Sequence, residues 1–385
     1  MLTVSNELSL GVIATSNKVD ERRLPIHPAH FERIDERFRS RIIIETGYGA
    51  SVGLDDEALA PFVGRIATRS EIFASADIIL LPKPQLADLE EMRVGQTLWG
   101  WPHCVQDTAL TQLAIEKKLT LIAFEAMNHW GSDGSFGLHV FHKNNEIAGY
   151  ASVIHALQLC GSTGDYGRKL SAVVIGFGAT ARGAVTALHG HGINDVRVLT
   201  GRSVAAVAAP IHSVEMVQFE HDGGPHLSEV ITDEGRLPLA PFLAESDIVV
   251  NCTLQDPNAP LMYLRTGELT AFTPGSLIVD VSCDEGMGFE WAKPSTFADP
   301  MHTVGGNINY YAVDHSPSYL WNSASWEISG GLLPFLDVVL DGREAWSKNE
   351  TISRAIEIRD GIIQNPAILE FQKRSGEYPH RKLID

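Results

Sequence analysis

Three short segments in the first third of the chain carry side chains suited to acid–base chemistry or to binding a carboxylate. Lys83 stands between two prolines after an apolar run, and His103 lies in the rigid aromatic turn 99–104. A lysine near a reacting carbonyl can polarise it, and a histidine exchanges protons close to neutral pH. Arg22 and Arg23 offer guanidiniums for a bidentate grip on a carboxylate. From the residues alone, a surface lysine, a packed histidine and a solvated basic turn are the alternatives.

A glycine-rich turn in the middle of the chain indicates a dinucleotide site. Gly176, Gly178 and Ala181 form a G-x-G-x-x-A pattern after the apolar run 172–175 and before an apolar helix pattern. The first glycine permits a tight bend, the second lets the backbone approach a pyrophosphate, and the small alanine lets helix pack on strand. Ala179 and Thr180 lie in the same turn and join the cofactor-binding candidates. An ordinary glycine turn at the end of a strand is the weaker alternative.

The end of the next predicted strand favours NADP(H) over NAD(H). An acid at this place binds the ribose 2′-hydroxyl of NAD, whereas a basic residue accommodates the 2′-phosphate of NADP. The strand 196–200 is followed by Gly201, Arg202 and Ser203, with no acid among them. We therefore predict that Arg202 and Ser203 bind this phosphate. A solvent-exposed arginine, with NAD(H) as the cofactor, is the alternative.

The elements that must position these groups indicate an α/β fold. Apolar runs typical of buried parallel strands occur on both sides of the glycine turn. They are 8–14, 41–45, 78–81 and 119–123 before it, and 196–200, 248–252, 277–281 and 310–313 after it. Helical patterns cover 27–37, 147–159 and 318–341, and we expect the last to pack on the N-terminal domain.

About 170 residues precede the glycine turn, which is one domain's worth of chain. The sequence therefore predicts two Rossmann-like domains with a cleft between them, the nucleotide-binding domain being inserted mid-chain. We assign 1–146 plus 316–385 to a substrate domain and 147–315 to a dinucleotide-binding domain. In such folds the strand ends of the dinucleotide-binding domain line the crevice. Cys252 and the acids after strands 277–281 and 310–313 are therefore candidate binding residues.

Composition excludes several classes of function. The chain has 48 acidic and 30 basic residues, a net charge of −18, so a nucleic-acid partner is not expected. No apolar run approaches the roughly 20 residues of a membrane span, and neither a signal peptide nor paired cysteines are seen. These features predict a cytoplasmic protein without a membrane partner. His139 and His142 lack a third ligand, so no metal site is predicted.

The motifs together, in this order, resemble the superfamily of alanine dehydrogenase, N5-(carboxyethyl)ornithine synthase and the lysine-forming saccharopine dehydrogenase. Glu21-Arg22-Arg23, Lys83, Gly100 to His103, the central glycine turn and Asp314 to Pro317 carry the resemblance over nearly the whole chain. Where alanine dehydrogenases have Asn-Met-Pro near the C-terminus, this chain has Asp-His-Ser-Pro. Its loop after strand 277–281 also departs from theirs, and both differences favour the carboxyethylornithine and saccharopine branch.

The resemblance implies roles for individual residues. It assigns Lys83 and His103 to catalysis and Arg23 to the substrate carboxylate. It also implies that Glu125 lines the same site, and that Asp284 or Asp314 contacts substrate or the nicotinamide ribose.

The implied reaction is reduction, by NAD(P)H, of an imine formed between a 2-oxo acid and an amino group, or its reverse. Alanine dehydrogenase-like amination of a small oxo acid is the alternative within the family. A dinucleotide-binding regulatory protein without turnover is the alternative from another class, and a transhydrogenase-like subunit, which would need a membrane partner, is a third. The expected partners are a small amino acid and a 2-oxo acid, and assembly into a homo-oligomer is left open by the sequence.

Overall fold

The chain folds into two compact units. A computed structural model describes residues 7–201, 211–221, 228–232, 235–255 and 260–383. The first unit comprises Met1–His142 together with Trp321–Asp385, and the second comprises Lys143–Leu320. The middle of the chain is therefore a separate unit inserted into the first.

The N-terminal part of the first unit alternates short strands with short helices. In chain order these are β1 Leu10–Val12, α1 Glu36–Arg39, β2 Ile42–Glu45, α2 Asp56–Leu59, β3 Arg65–Ala67, α3 Arg69–Ser75, β4 Ile78–Leu80, α4 Leu86–Glu91, β5 Thr97–Gly100, α5 Thr108–Glu116, β6 Thr120–Ala123, β7 Asn128–Trp130 and β8 Phe136–His139. Short 3₁₀ helices at Pro28–Arg33 and Phe124–Ala126 join some of them.

The inserted unit has a longer run of strands. Its elements are α6 His142–Leu159, β9 Ser171–Ile175, α7 Ala179–Gly190, β10 Asp195–Thr200, β11 Glu215–His221, β12 Ser228–Thr232, β13 Gly235–Pro238, α8 Leu239–Ala244, β14 Ile248–Asn251, β15 Met262–Leu264, β16 Leu277–Asp280, β17 Gly288–Phe289, β18 Met301–Val304 and β19 Ile308–Tyr311.

The C-terminal part returns to the first unit with helices and one hairpin. It contains α9 Trp321–Leu332, α10 Leu336–Leu340, α11 Arg343–Lys348, α12 Glu350–Ala355, β20 Ile356–Arg359, β21 Ile362–Ile363 and α13 Pro366–Phe371.

The sheet of the first unit has the strand order β21-β20-β6-β5-β4-β1-β2-β3. The six strands from β6 to β3 are parallel, and β20 adds to β6 in the antiparallel direction. Strand β4 is fully buried along its length, as a strand covered on both faces must be. Apolar clusters pack on the two sides, one of them built with helices from the C-terminal part.

The sheet of the inserted unit has the order β13-β12-β11-β10-β9-β14-β16-β19-β18. Its six central strands are parallel, whereas β12, β13 and β18 are antiparallel additions at the edges. Both units thus have a sheet dominated by parallel strands, which confirms the predicted α/β class with two Rossmann-like folds.

Some predicted elements differ in detail from the structure. The helix predicted at 27–37 is instead the 3₁₀ helix Pro28–Arg33 followed by α1, because Ile34 is extended and the Asp35 side chain caps a new helix. The last strand of the second sheet lies at Ile308–Tyr311, two residues earlier than the predicted strand 310–313. The aromatic turn 99–104 follows a strand, β5, which is not among the strands predicted from the sequence.

Candidate functional site

Side chains that could take part in acid–base chemistry follow three neighbouring parallel strands of the first unit. Lys83 comes after β4, His103 after β5 and Glu125 after β6. These strands are adjacent in the sheet, so their carboxyl ends lie side by side. Ligands of open α/β sheets bind at this end of the strands.

The turn after β5 approaches the turn after β4 very closely. A Cβ atom added to Gly100 would lie 2.0 Å from the carbonyl oxygen of Leu81, so only glycine fits there. The next residue, Trp101, donates its backbone N–H to the carbonyl of Pro82 at 2.8 Å. This close approach sets the distance between Lys83 and His103.

Lys83 and His103 are in direct contact. Lys83 Nζ lies 2.9 Å from His103 Nε2, and both side chains are partly exposed. An ammonium and an imidazolium would both be donors, so this hydrogen bond exists only when one of the two groups lacks a proton. The pair can therefore hold one proton and pass it between the two nitrogens.

The backbone of His103 is held in the left-handed region, with φ of 49°. Such a conformation is uncommon for a residue other than glycine and costs free energy that neighbouring contacts must offset. One such contact is its own N–H, which donates to Glu125 Oε1 at 2.7 Å. Glu125 Oε1 also lies 3.9 Å from His103 Nδ1, on the opposite side of the ring from Lys83.

Glu125 is a carboxyl whose two oxygens have different surroundings. The side chain exposes 26 % of its surface, yet Oε2 is buried and, among the described residues, has no hydrogen-bond partner. Burial, and then the charge of Glu357, raise the pKa of Glu125 to about 8, while the N–H of His103 and the charge of Lys83 act in the opposite direction. Burial therefore favours the protonated form of Glu125.

The predicted carboxylate-binding residue already has a partner. Arg23 is buried, and its Nε and Nη2 donate to Glu21 Oε1 and Oε2 at 2.8 and 2.5 Å. The guanidinium also stacks over the ring of Trp101, 5.2 Å from its centroid. A substrate carboxylate that binds Arg23 would compete with Glu21 for it, while the neighbouring Arg22 is exposed.

The glycine turn of the inserted unit has the shape that a pyrophosphate requires. Gly176 has φ of +109°, which favours glycine, and its Cβ position would be only 3.1 Å from the carbonyl oxygen of Cys252. Gly178 precedes α7, and no atom lies within 4 Å of its Cβ position. The helix begins with Ala179 and Thr180, and the buried Ala181 packs on the sheet. An open cradle at the N-terminus of a helix of 12 residues fits a dinucleotide phosphate.

The other predicted residues of this unit lie just beyond strand ends. Cys252 is buried directly after β14 and donates its N–H to Ile175 at the end of β9. Asp284 lies four residues beyond the end of β16 and Asp314 three residues beyond the end of β19. The side chain of Asp314 hydrogen-bonds to that of His315. The predicted NADP ligands, Arg202 and Ser203, lie outside the described residues.

The last residue of β16, Asp280, carries a hydrogen-bond network that the sequence did not predict. Its Oδ1 accepts from Asn251 Nδ2 and from the N–H of Cys283 at 2.9 and 3.0 Å, and its Oδ2 accepts from Tyr310 Oη at 2.7 Å. Burial raises the pKa of Asp280 to about 6, against the effect of these three donors. The side chain ties the ends of β14, β16 and β19 together.

Sequence patterns do not predict the contacts of two further acids in the first unit. Glu21 lies in the same motif as Arg23, but the motif does not indicate that the two side chains pair. Glu357 lies on β20 and is buried, far along the chain from Lys83 and His103. Its only signal in the sequence is an acid placed between two isoleucines in a strand-like run.

A cavity of about 400 Å³ occurs elsewhere in the first unit and contains none of the predicted site residues. Asp77, Arg93, Gln96 and Asp341 are among its lining residues, at the amino ends of the strands and so opposite to Lys83. Within the described ranges, no group of three or more His, Cys, Asp or Glu residues could hold a metal ion. In the same ranges, no helix combines the length and apolar character that a membrane span needs.

Two family models match the chain over most of its length. The model "Alanine dehydrogenase/PNT, N-terminal domain" matches residues 12–148, and "Alanine dehydrogenase/PNT, C-terminal domain" matches residues 167–366. Solved structures agree with this fold. An L-alanine dehydrogenase superposes with a TM-score of 0.75 at 19% identity, covering 94% of this chain and 99% of its own. A transhydrogenase from Sinorhizobium meliloti gives 0.67 at 18% identity, covering 93% and 99%.

Relatives named for two different activities match the sequence with about the same identity. The alanine dehydrogenase of Halomonas elongata is 25% identical over 342 residues, 86% of this chain and 88% of its own. The N(5)-(carboxyethyl)ornithine synthase of Clostridium botulinum is 26% identical over 326 residues, 81% and 89%. These comparisons confirm the resemblance inferred from the motifs. The chain belongs to the alanine dehydrogenase/PNT family of oxidoreductases, which bind a nicotinamide dinucleotide.

Proposed function

We propose that this protein reduces the imine formed between a 2-oxo acid and the amino group of an amino acid, or catalyses the reverse oxidation. The observation that carries the proposal is the contact of Lys83 Nζ with His103 Nε2, at 2.9 Å, beside the carboxyl of Glu125. A protein that only binds a dinucleotide has no use for such an acid–base pair.

Forming the imine requires protons to move at two atoms. The amine nitrogen attacks the carbonyl carbon and loses one proton, which passes to the carbonyl oxygen to form a hydroxyl group; a second proton, taken up from solvent, lets this group leave as water and leaves the protonated imine. His103 accepts the first proton, and Lys83 delivers a proton to the departing oxygen. Because the two nitrogens are in contact, the proton that one accepts is available to the other.

The remaining residues hold the reactants. Arg23 fixes the carboxylate of the oxo acid, with Glu21 displaced or sharing the guanidinium, and Asp314 contacts the amino acid or the nicotinamide ribose. Gly176, Gly178 and the first turn of α7 hold the pyrophosphate, with Cys252 and Asp284 at neighbouring strand ends. The bound cofactor supplies the hydride. Arg202 and Ser203 favour NADP(H), with NAD(H) as the alternative.

The second candidate is amination of a small oxo acid by ammonia. It is supported by relatives named alanine dehydrogenase, which match as well as those named carboxyethylornithine synthase. Both reactions need the same proton transfers, and they differ in the amine. The Asp314-His315-Ser316-Pro317 segment favours the larger amine.

The test is a panel of 2-oxo acids, each paired with ammonia, ornithine, lysine or another amine. The purified protein is supplied with NADPH and, separately, with NADH, and both cofactor absorbance and product mass are followed. We expect cofactor oxidation coupled to a secondary-amine product. A primary amino acid from ammonia alone would establish the second candidate, and cofactor binding without turnover across the panel would contradict both.

A further inference from the structure

The acid Asp314 lies beside a buried histidine to which the proposed reaction assigns no role. The side chain of His315 exposes only 3 % of its surface, and its Nδ1 hydrogen-bonds to Asp314 Oδ1. The other ring nitrogen, Nε2, is buried and, among the described residues, has no hydrogen-bond partner. Within those residues, the imidazole therefore gives its hydrogen bond to the acid next to it.

This hydrogen bond indicates where the proton of the imidazole resides. An ionised carboxylate can only accept hydrogen bonds, so Nδ1 carries the proton and donates it to Asp314. A proton on Nε2 instead would be a buried donor without an acceptor among the described residues, and such a donor costs free energy. The surroundings thus favour the tautomer in which the donor of the ring faces the carboxylate.

The imidazole of His315 is held in place by packing. Ser295 donates its N–H to the carbonyl of Ala312 at 2.8 Å and forms a bridge with Val313, which brings Phe297 close to His315. The ring centroids of Phe297 and His315 are 5.0 Å apart and their planes meet at 83°, an edge-to-face contact. The orientation of the donor is therefore set by a neighbouring ring and not by Asp314 alone.

The backbone around His315 is fixed as well. The carbonyl of His315 accepts the N–H of Ser318 at 2.9 Å, and Ser316 Oγ donates to the carbonyl of Ala148 in α6 at 3.2 Å. Both serines are buried, and α6 is a helix of 18 residues. Contacts of this kind hold a supporting side chain at a defined position.

Asp314 differs from His315 in its exposure. Its side chain exposes 25 % of its surface, and it lies three residues beyond β19, at the carboxyl end of a parallel strand. Ligands of open α/β sheets bind at this end of the strands. A carboxyl that is held by a buried donor and still reaches the surface is suited to accept a hydrogen bond from a ligand.

We propose that His315 is a positioning residue for Asp314. Its Nδ1–H holds the carboxylate in the orientation in which Asp314 accepts a hydrogen bond from a reactant. The donor on the reactant is the amino group of the amino acid or a hydroxyl group of the nicotinamide ribose. This inference rests on the proposed function, which places Asp314 against one of these groups.

Two substitutions of His315 separate this role from simple packing. His315→Leu removes both ring nitrogens and keeps an apolar side chain against Phe297, whereas His315→Asn keeps an N–H donor where Nδ1 lies. In His315→Leu we expect a rise of at least about tenfold in one of two constants. The KM for the amino acid rises if its amino group is the partner, and the Kd of the dinucleotide, measured without substrates, rises if the ribose is.

Two further variants serve as controls. His315→Asn should restore the affected constant to near its wild-type value, which a purely structural role of the ring would not predict. His302→Leu removes a histidine of the same unit that packs edge-on against Tyr310, and should change neither constant. If KM and Kd are both unchanged in His315→Leu, the proposal is wrong.

A double-mutant cycle tests whether His315 acts through Asp314. Asp314→Ala should raise the same constant, and adding His315→Leu to Asp314→Ala should raise it by no more than about twofold further. An equal rise from His315→Leu in both backgrounds would contradict action through Asp314. Turnover by the wild-type protein alongside this result would refute the role of His315 and leave the proposed function in place.

The tautomer of His315 can be measured without activity, from the ¹⁵N chemical shifts of its ring in the full-length protein. Its signals are identified by their loss in His315→Asn. We expect the proton on Nδ1 in the wild-type protein and the loss of this preference in Asp314→Ala. A wild-type ring with its proton on Nε2 would overturn the proposal, whether or not His315→Leu folds. If the wild-type protein turns over no pair of reactants, the proposed function fails and this criterion is unaffected.

Discussion

Glu125 in the first unit and Asp280 in the second are carboxyls at or just beyond the ends of parallel strands, Asp280 buried and Glu125 partly exposed, and their hydrogen bonds differ. Both oxygens of Asp280 accept hydrogen bonds, from Asn251, Cys283 and Tyr310. Glu125 Oε1 accepts from the N–H of His103, whereas Oε2 has no donor within the part of the chain that the structure describes.

This difference separates a structural acid from one placed for proton chemistry. The donors around Asp280 stabilise its charge, so that burial raises its pKa only to about 6, whereas burial and the charge of Glu357 raise the pKa of Glu125 to about 8. A carboxyl that is fully hydrogen-bonded holds strand ends together. A carboxyl beside a histidine, with a buried oxygen that accepts no hydrogen bond from the described residues, has a raised pKa, and such shifted pKa values are common at catalytic sites.

The largest expected effect comes from the acid–base pair next to Glu125. We expect His103→Ala and Lys83→Ala each to lower kcat by at least about a hundredfold, because each removes a proton-transfer group. Dinucleotide binding and the unfolding midpoint should change little. Turnover assays with cofactor titration measure both quantities.

Matched controls for these variants are available in the second unit. His212 and Lys169 are exposed, and His212→Ala and Lys169→Ala should leave kcat unchanged. Wild-type-like turnover in His103→Ala or Lys83→Ala would remove that residue from the mechanism.

The next effect concerns the stability of the two carboxyl sites. Asp280→Ala leaves the buried hydroxyl of Tyr310 and the amide of Asn251 without their acceptor, and should cost about 3 kcal/mol of unfolding free energy. Glu125→Gln keeps an acceptor for the N–H of His103, and should change stability at pH 7 by less than about 1 kcal/mol. Urea unfolding measures the unfolding free energy of both variants. Equal losses of unfolding free energy would contradict the distinction between the two sites.

A smaller effect is expected at the glycine turn of the second unit. Gly178→Ala places a methyl group in open space, so stability should change by less than about 1 kcal/mol. Dinucleotide affinity should fall at least about tenfold, or about 1.4 kcal/mol, because the methyl group lies where the backbone must approach the phosphates. Gly190→Ala, at the other end of α7 and also without neighbours, is the control that should bind normally. Isothermal titration compares the two variants, and unaltered affinity in Gly178→Ala would argue against this cradle.

The smallest effect is a pH dependence of stability that differs between the two carboxyls. A carboxyl whose pKa is higher in the folded than in the unfolded state binds its proton more tightly when folded, so stability falls as pH rises between the two values. For Asp280 this window ends at about pH 6, and for Glu125 it extends to about pH 8. His30 acts in the opposite sense, because burial lowers its pKa to about 4 and stability is lost as pH falls from 6.5.

Unfolding free energies measured from pH 6 to pH 8 isolate the contribution of Glu125. We expect the wild-type stability to decrease across this range and the decrease to be smaller in Glu125→Gln. Parallel curves for the two proteins would show that Glu125 is already ionised at pH 6.

The sequence predicts the residues of the Lys83–His103 pair but not their contact. Each stands in a short motif whose prolines, glycine and aromatic residues signal a rigid turn, although only the Lys83 motif was predicted to follow a strand. Whether the two side chains meet depends on the register of β4 against β5, in which Leu80 pairs with Trp99. Register is a property of the folded sheet, so local patterns do not contain it.

Partners that are distant in the chain are harder still to predict. Glu357 lies beside β6 only because β20 adds to this strand in the antiparallel direction, and the pairing is not visible in the local sequence. The glycine turn, in contrast, follows from a local pattern, since the positive φ of Gly176 requires glycine and the small Ala181 is buried in the first turns of α7. Local constraints appear in the sequence, and networks such as that of Asp280 arise from strand pairing.

The most direct test of the proposed reaction follows the hydrogen that is transferred. The protein is incubated with a 2-oxo acid, an amino acid and a reduced nicotinamide cofactor in which both hydrogens at C4 are deuterium, and the product is examined by mass spectrometry and NMR. The proposed function predicts one deuterium on the carbon that carried the oxo group, now bonded to the nitrogen of a secondary amine. A product without deuterium at this carbon, or cofactor that stays unoxidised with every pair of reactants, would contradict it.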